Sequence, residues 1–158
     1  MKLFSKPQKT VFRLLAAADG ESVSLDCVPD EAFSSGMLGD GFAVEPENGN
    51  IYAPVAGKIL SVSESRHAYA IAADFGDLLI HVGIDTVKVP EAFEPLVGVG
   101  DVVTAGQLIA RADLDRIKKA GLPTVIPVLI TDLREACALQ KNFGKARGGK
   151  DTAASLVK

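Results

Sequence analysis

The two histidines of this chain, His67 and His81, are the side chains best suited to chemistry near neutral pH. His81 lies in the otherwise apolar run 78–87, which is interrupted by Gly83 and Asp85. If this run is a strand, alternation places His81, Gly83 and Asp85 on one face. A glycine beside the imidazole would let the reacting group of another molecule approach the ring, with a carboxylate just beyond it.

The second histidine belongs to another strand-like run, 63–71, in which Ser65, His67 and Tyr69 would share a face. Pairing of neighbouring strands would bring the two imidazoles together. Ser65 would then fix the tautomer of His67 by a hydrogen bond to one ring nitrogen. The alternative for either ring is a hydrogen-bonded histidine without chemistry, in the core for His81 and at the surface for His67.

Short apolar segments separated by turn residues predict the fold that must hold these rings. Glycine, aspartate and asparagine cluster at sites such as 39–41 and 48–50, with runs of valine, isoleucine, leucine and alanine between them. This spacing is typical of an all-β sandwich or barrel rather than of βαβ units. Residues 17–25 also match 54–62 at one glycine and at a serine followed by an aliphatic residue, which favours a duplicated β architecture.

Two short helices are predicted near the C-terminus, at about 114–120 and 133–143. Asp132 and Glu135 resemble a capping box for the second helix, and Gly144 would end it. We expect residues 1–10 to form a flexible segment, 11–144 to form one domain, and 145–158 to be either a mobile tail or a poorly signalled last strand.

Composition narrows the classes of function. The chain has 158 residues, an apolar fraction of 47% and a formal net charge of −3, so it can bury a core but offers no basic surface for nucleic acid. Cys27 and Cys137 have no C-x-x-C spacing and are expected to be reduced thiols. We expect neither a signal peptide nor membrane insertion, and therefore a cytoplasmic protein.

Several blocks in order along the chain resemble the glucose-type enzyme IIA (EIIA) domain of the bacterial phosphoenolpyruvate-dependent sugar phosphotransferase system (PTS). The most specific block is Ile-His-Val-Gly-Ile-Asp-Thr-Val at 80–87. The resemblance covers roughly residues 11–132, within the predicted domain 11–144. The blocks that carry it are 28–33, 37–46, 53–57, 67–68, 79–87, 100–106 and 124–131.

This resemblance implies a compact antiparallel β sandwich or barrel of the duplicated hybrid-motif type. It also implies a carrier that accepts a phosphoryl group from the phosphocarrier HPr and passes it to a cysteine of enzyme IIB, coupled to sugar uptake by the IIB/IIC permease. By motif position, His81 would be the phosphorylated residue, as tele-phosphohistidine, and His67 its phosphate-stabilising partner. Backbone N–H groups around the Val82–Gly83 bend would assist. The family's partner contacts fall on Asp30, Phe33, Met37, Leu38, Leu79 and Asp85, although the four apolar residues among them would serve equally well as core.

Two places depart from the family pattern. Ser63 stands where an aromatic residue is common, which would weaken the apolar rim around the histidines. The loop 88–93 begins with a lysine where the family usually has an acidic or neutral residue, and it lacks the usual glycine-rich turn before the aromatic residue. This loop is therefore expected to have another shape and to tune the choice of partner.

Three other functions compete with the phosphocarrier. A regulatory IIA-like protein would bind partners, including regulatory targets, according to its phosphorylation state. A biotinyl or lipoyl carrier would need a lysine at a hairpin tip, which the segments 53–59 and 100–108 do not offer. A zinc hydrolase would need at least three ligands, so no resident metal or cofactor is expected, although His67 and His81 could share a zinc ion with a partner protein.

Overall fold

The computed structural model describes residues 9–134 and 137–158, and within them the chain forms fourteen β-strands and two short α-helices. The predicted flexible segment lies largely outside this range. The strands are β1 (Thr10–Leu15), β2 (Gly20–Val23), β3 (Asp40–Pro46), β4 (Asn50–Tyr52), β5 (Gly57–Val62), β6 (Ala68–Ala73), β7 (Gly76–His81), β8 (Phe93–Pro95), β9 (Val102–Val103), β10 (Leu108–Ala112), β11 (Ile126–Leu133), β12 (Ala138–Lys141), β13 (Gly144–Ala146) and β14 (Thr152–Val157). The helices are α1 (Glu31–Ser34) and α2 (Leu114–Lys119).

Every strand pair among the described residues is antiparallel. The largest sheet has eight strands in the order β13-β2-β3-β11-β7-β6-β5-β9, and two three-stranded sheets have the orders β1-β14-β12 and β4-β10-β8. The predicted antiparallel β sandwich is therefore confirmed. The β6–β7 pair matters most for the site. Its register sets Ala68 opposite His81, and so brings His67, the residue before Ala68, close to His81.

Alternation along β7 fixes which side chains enter the core. Leu78 and Ile80 are fully buried in the main apolar cluster, while Leu79 and His81 lie on the opposite face and are only partly buried. Beneath that opposite face lies a second, smaller buried cluster, which includes Phe33 and against which Leu79 packs. The histidine-bearing face therefore rests on its own layer of apolar side chains. No helix in the described parts of the chain is long and apolar enough to cross a bilayer.

The predicted helix at 114–120 is confirmed as α2, with Asp113 as its N-cap. The predicted helix at 133–143 is wrong. Leu133 ends β11, and Ala138–Lys141 is the strand β12, which pairs with β14. Glu135 of the predicted capping box lies outside the described residues.

The C-terminal stretch 145–158 completes the large sheet and contributes a central strand to a small one. β14 lies between β1 and β12, and Ala153, Ala154 and Leu156 are almost fully buried. Backbone pairing with β14 holds Ala138–Lys141 as the strand β12, although these residues have good helix propensity.

Candidate functional site

His81 is the last residue of β7, and the chain leaves the sheet directly after it. Its Nδ1 lies 2.7 Å from the carbonyl oxygen of Gly83. A carbonyl oxygen only accepts hydrogen bonds, so in the neutral ring Nδ1 carries the proton. The lone pair of His81 is therefore on Nε2, which makes Nε2 the nucleophilic atom.

Gly83 has a different role from the one predicted for it. Its φ is +78°, and a Cβ on this residue would lie 2.5 Å from Cγ2 of Thr86 and 2.9 Å from the carbonyl oxygen of Pro123. Gly83 is itself buried. The glycine thus permits a left-handed turn packed closely against its neighbours, which aims a carbonyl at His81, and it does not open a path to the ring.

The amide groups of this turn are already used. The N–H of Val82 donates to the carbonyl of His67 at 2.7 Å, and the N–H of Gly83 donates to the carbonyl of Val125 at 3.1 Å. The predicted help is therefore wrong for these two N–H groups, because strand and loop pairing occupies them. Stabilisation of a phosphoryl group at His81 would have to come from side chains, from other backbone groups or from a partner.

The two imidazoles are in contact, as predicted. Their ring centroids are 4.8 Å apart and the rings are nearly perpendicular, at 80°. The hydrogen bond from the N–H of Val82 to the carbonyl of His67 ties the backbone of His67 to the residue that follows His81. Phe33 packs against His81 with centroids 5.0 Å apart, and Phe93 lies 6.3 Å from His67.

The hydroxyl group beside His67 belongs to Ser63, so the prediction for Ser65 is wrong. Ser63 Oγ lies 3.2 Å from Nδ1 of His67. The chain turns between Ser63 and Ala68, with Arg66 in the left-handed region at φ +63°, so strand alternation does not apply to Ser65. Tyr69 is fully buried in the main core instead of sharing a face with His67.

Electrostatics favour neutral rings at this site. Burial lowers the pKa of His81, while the Gly83 carbonyl and the charges of Asp30 and Asp85 partly oppose that change. Burial, followed by the charge of His81, lowers the pKa of His67. Both imidazoles are therefore uncharged at neutral pH.

The predicted partner-contact residues differ in burial and in local structure. Asp30 is half-buried and caps α1, its carboxylate accepting from the N–H of Ala32 at 2.9 Å. Asp85 is exposed, with φ +59°. Met37 is 77% exposed and Leu38 is 42% exposed, whereas Phe33 and Leu79 pack in the smaller apolar cluster. The structure thus brings the carboxylates of Asp30 and Asp85 within electrostatic reach of His81, as their effect on its pKa requires.

Besides the contact of Ser63, sequence reasoning missed three residues that help to build this site. Thr86 is fully buried and donates from Oγ1 to the carbonyl of Val82 at 2.6 Å, which holds the turn after His81. Val87 is 54% exposed in the same segment, and Phe93 lies beneath His67. The block at 80–87 contained the signal for Thr86, because a buried threonine after a glycine turn commonly donates to a nearby carbonyl.

No group of three or more histidine, cysteine, aspartate or glutamate side chains that could hold a metal is found among residues 9–134 and 137–158. The His67–His81 pair alone supplies two nitrogen ligands, one short of the three protein ligands usual at a catalytic zinc site. Cys27 and Cys137 are free thiols, as expected, so they do not form a disulfide with each other.

Comparison with known proteins gives consistent matches. A family model described as phosphoenolpyruvate-dependent sugar phosphotransferase system, EIIA 1, matches residues 12–136. The glucose-specific EIIA component of Halalkalibacterium halodurans is 34% identical over 156 residues, covering 98% of this chain and 89% of that protein. The glucose-specific EIICBA component of Streptococcus pneumoniae is 44% identical over 119 residues, which are 74% of this chain but only 16% of that longer protein.

A solved structure has the same fold. The glucose permease IIA from Mycoplasma capricolum superposes with a TM-score of 0.86 and 32% sequence identity, and the match covers 98% of this chain and 99% of that one. The family model spans most of the chain, and the relative from Halalkalibacterium is matched over nearly its whole length. The chain therefore belongs to the EIIA 1 family of the phosphoenolpyruvate-dependent sugar phosphotransferase system.

Proposed function

We propose that this protein is a phosphocarrier in which Nε2 of His81 accepts a phosphoryl group from phospho-HPr and passes it to a cysteine of enzyme IIB. The observation that carries the proposal is the 2.7 Å hydrogen bond from Nδ1 of His81 to the Gly83 carbonyl, which leaves a lone pair on Nε2 of a ring that contacts a second imidazole. The family membership supports the same assignment. The cytoplasmic location expected from the sequence belongs to the same proposal.

The chemistry consists of two displacements at phosphorus. In the first, the bond between phosphorus and the nitrogen of the donor histidine breaks as the bond to Nε2 of His81 forms. In the second, the bond to Nε2 breaks as a bond to the sulfur of the receiving cysteine forms. Such transfers depend on positioning and on charge stabilisation, and little covalent assistance is needed from the protein.

Each feature of the site serves one of these requirements. The lowered pKa of His81 keeps its lone pair available at neutral pH. The Gly83 carbonyl holds the ring in one orientation and stabilises the positive charge that develops on the imidazole when Nε2 becomes bonded to phosphorus. His67 can donate an N–H to the phosphoryl oxygens, since its ring contacts that of His81.

The surroundings of the histidines suit docking to another protein. Met37 and Val87 expose much of their apolar surface, and the carboxylates of Asp30 and Asp85 act on His81 from the rim. An apolar centre with an acidic rim would complement a donor that has basic residues around its own histidine. Relatives are named as glucose-specific and as glucoside-specific components. We therefore propose the IIB/IIC permease as the acceptor and assign no particular sugar.

The carrier alternative is not favoured. Lys58, the lysine in the carrier-like segment, lies within β5 and not at a hairpin tip, where a biotinyl or lipoyl group would have to move freely. A zinc ion shared between these histidines and a partner stays an expectation from the sequence.

The test is phosphorylation with purified components. The protein is incubated with phosphoenolpyruvate, enzyme I and HPr, and the intact mass is measured. Wild type should gain one phosphate that is lost in acid and kept in base, and His81→Ala should gain none. A phosphate that survives acid, or one that His81→Ala still acquires, would refute the assignment.

A further inference from the structure

We infer that Ser63 is a positioning residue that holds the neutral His67 ring in the tautomer with its proton on Nε2. The feature that carries this inference is one hydroxyl group with three hydrogen-bond partners. Ser63 Oγ lies 3.2 Å from Nδ1 of His67, 3.2 Å from the backbone nitrogen of His67 and 3.1 Å from that of Ala68.

The donors and acceptors around Ser63 Oγ fix the direction of the bond to the ring. Each of the two backbone nitrogens brings its own hydrogen, so both N–H groups donate to Oγ. A hydroxyl oxygen has two lone pairs, and these two bonds use both of them. The O–H hydrogen remains, and Nδ1 of His67 is the group left to receive it. Nδ1 must therefore be unprotonated in the neutral ring, which puts the proton on Nε2.

The two histidines are consequently held in opposite tautomers. In His81 the Gly83 carbonyl keeps the proton on Nδ1 and leaves a lone pair on Nε2. In His67 the Ser63 hydroxyl keeps Nδ1 free and leaves an N–H on Nε2. One ring is thereby set to accept a phosphoryl group and the other to donate a hydrogen bond to it. This consequence for transfer rests on the proposed function, whereas the tautomer is a property of the unphosphorylated protein alone.

The turn that carries His67 is built around Ser63. The N–H of Ser63 donates to the carbonyl of Ala68 at 2.9 Å, and its own carbonyl accepts from the N–H of Arg66 at 2.8 Å. The hydroxyl of Tyr69, which is buried in the core, donates to the carbonyl of Arg66 at 3.0 Å. These bonds fix the position of Oγ relative to the ring. Because the family commonly has an aromatic residue at position 63, this device is particular to chains with serine there.

The experiment reads the tautomer directly. Two-bond ¹H–¹⁵N correlation spectra of the ¹⁵N-labelled protein, at a pH of about 8 where free histidine is neutral, distinguish protonated from unprotonated ring nitrogens. Wild-type His67 should have an unprotonated Nδ1 and His81 an unprotonated Nε2. A protonated Nδ1 on His67 in wild type would overturn the inference without any variant being needed.

Four variants identify the residue responsible. Ser63→Ala should give His67 a mixture of tautomers, and Ser63→Thr, which keeps a hydroxyl, should give the wild-type spectrum. Ser63→Asp places an acceptor-only group beside Nδ1 and should move the proton to that nitrogen. Ser65→Ala is the matched control and should change nothing. An unchanged His67 tautomer in both Ser63→Ala and Ser63→Asp would overturn the role of Ser63.

Transfer rates supply the second readout. Delivery of phosphate from the protein to enzyme IIB should fall about 3- to 10-fold in Ser63→Ala, the size of one net hydrogen bond, and should be retained in Ser63→Thr and Ser65→Ala. Full delivery by Ser63→Ala would show that the tautomer has no consequence for transfer. If wild type takes no phosphate from HPr, the proposed function fails, while the spectra still decide the tautomer.

Discussion

The two imidazoles are in contact, but their hydrogen-bond partners differ. His81 donates from Nδ1 to a backbone carbonyl, and its ring contacts the rings of His67 and Phe33. His67 lies on a turn outside the strands and contacts a serine hydroxyl. These surroundings suit the proposed roles, a nucleophile fixed at the end of a strand and a hydrogen-bond donor on a neighbouring turn, because phosphoryl transfer depends on positioning and charge stabilisation.

The first prediction concerns the partner ring. His67→Gln should still take phosphate from HPr, because a glutamine amide can replace part of the N–H donation to the phosphoryl oxygens. It should deliver that phosphate to enzyme IIB at least tenfold more slowly, since loss of one preorganised donor costs about 2.7–4 kcal/mol of transition-state stabilisation when no substitute is present. Rapid-quench assays of each half-reaction measure the two rates. Wild-type delivery by His67→Gln would contradict this role.

The second prediction concerns pH. The pKa of each histidine is lower in the folded chain than its ordinary value of 6.5, so the unfolded chain binds these protons more readily. Their contribution to the free energy of unfolding is therefore complete above about pH 6.5 and is lost as the pH falls through the folded-state pKa values. Urea unfolding at a series of pH values should show this loss in wild type.

The control for the pH prediction is the double variant His67→Gln with His81→Gln, which keeps polar side chains but removes both titrations. Its free energy of unfolding should decline less than that of wild type between about pH 7 and pH 5. Carboxylate titrations are common to both proteins and cancel in the comparison. Equal declines would mean that the histidines are not buried as neutral rings.

At the scale of elements, the turn after β7 holds the site in place. The left-handed Gly83 packs against Thr86 and Pro123, and Thr86 ties the turn back to the Val82 carbonyl. The turn before β6 holds His67 in the same way, through Ser63. Both turns are anchored to the adjacent strands β6 and β7, so the separation of the rings follows from the register of that pair.

The third prediction tests the turn after β7. Gly83→Ala should lower the free energy of unfolding by roughly 2–5 kcal/mol, because a left-handed alanine is strained and its Cβ has no room. It should also slow phosphate uptake, since the carbonyl that orients His81 must shift. Urea unfolding and the HPr assay measure the two effects.

Two other glycines supply matched controls for Gly83→Ala. Gly100 has φ +92°, and nothing lies within 4 Å of the position that a Cβ would occupy, so Gly100→Ala should show only the backbone strain, about 1–2 kcal/mol. Gly98 has open space and no positive φ, and Gly98→Ala should change stability by less than about 0.5 kcal/mol. Equal losses for Gly83→Ala and Gly100→Ala would show that close packing at Gly83 contributes nothing.

The sequence predicted those elements whose signals are local and strong. Alternating burial in β7 and the capped helix α2 were predictable because each depends on a few adjacent residues. The helix predicted at 133–143 failed because β14, distant in sequence from β1, pairs with both β1 and β12 and overrides local propensity. The Ser63 contact was missed because it depends on a turn with Arg66 in a left-handed conformation, which a non-glycine residue seldom adopts.

At the scale of the whole molecule, two carboxylates act on His81 although the net charge is only −3. Asp30 and Asp85 come from widely separated segments, the N-cap of α1 and the turn after β7, and both act on His81. This convergence could be predicted from the family resemblance, but composition alone gives no reason for it. It gives the histidine face a charge that a partner can detect at a distance.

The fourth prediction tests this acidic rim. Asp30→Asn with Asp85→Asn should slow phosphate uptake from HPr about tenfold at low salt, because rim charges steer association. The difference from wild type should fade as salt rises and the Debye length shrinks from about 10 Å at 0.1 M to about 3 Å at 1 M. Asparagine can still cap α1, so the fold should persist. Stopped-flow or quench kinetics at several salt concentrations measure the effect.

A matched pair of carboxylates controls for net charge in that experiment. Glu21→Gln with Glu45→Gln removes the same two charges from exposed positions that face each other on β2 and β3. This variant should take up phosphate at the wild-type rate at every salt concentration. If it is slowed as much as the Asp30 and Asp85 variant, only overall charge matters. If neither is slowed, recognition lies with apolar residues such as Met37.

The most direct test of the account is to locate the phosphoryl group on a single atom. The ¹⁵N-labelled protein is phosphorylated through HPr, and the nitrogen bonded to phosphorus is identified from ¹⁵N and ³¹P spectra. The structure predicts that nitrogen to be Nε2 of His81, because Nδ1 is engaged by the Gly83 carbonyl. Phosphate on Nδ1 of His81, on His67, or on neither histidine would contradict the account.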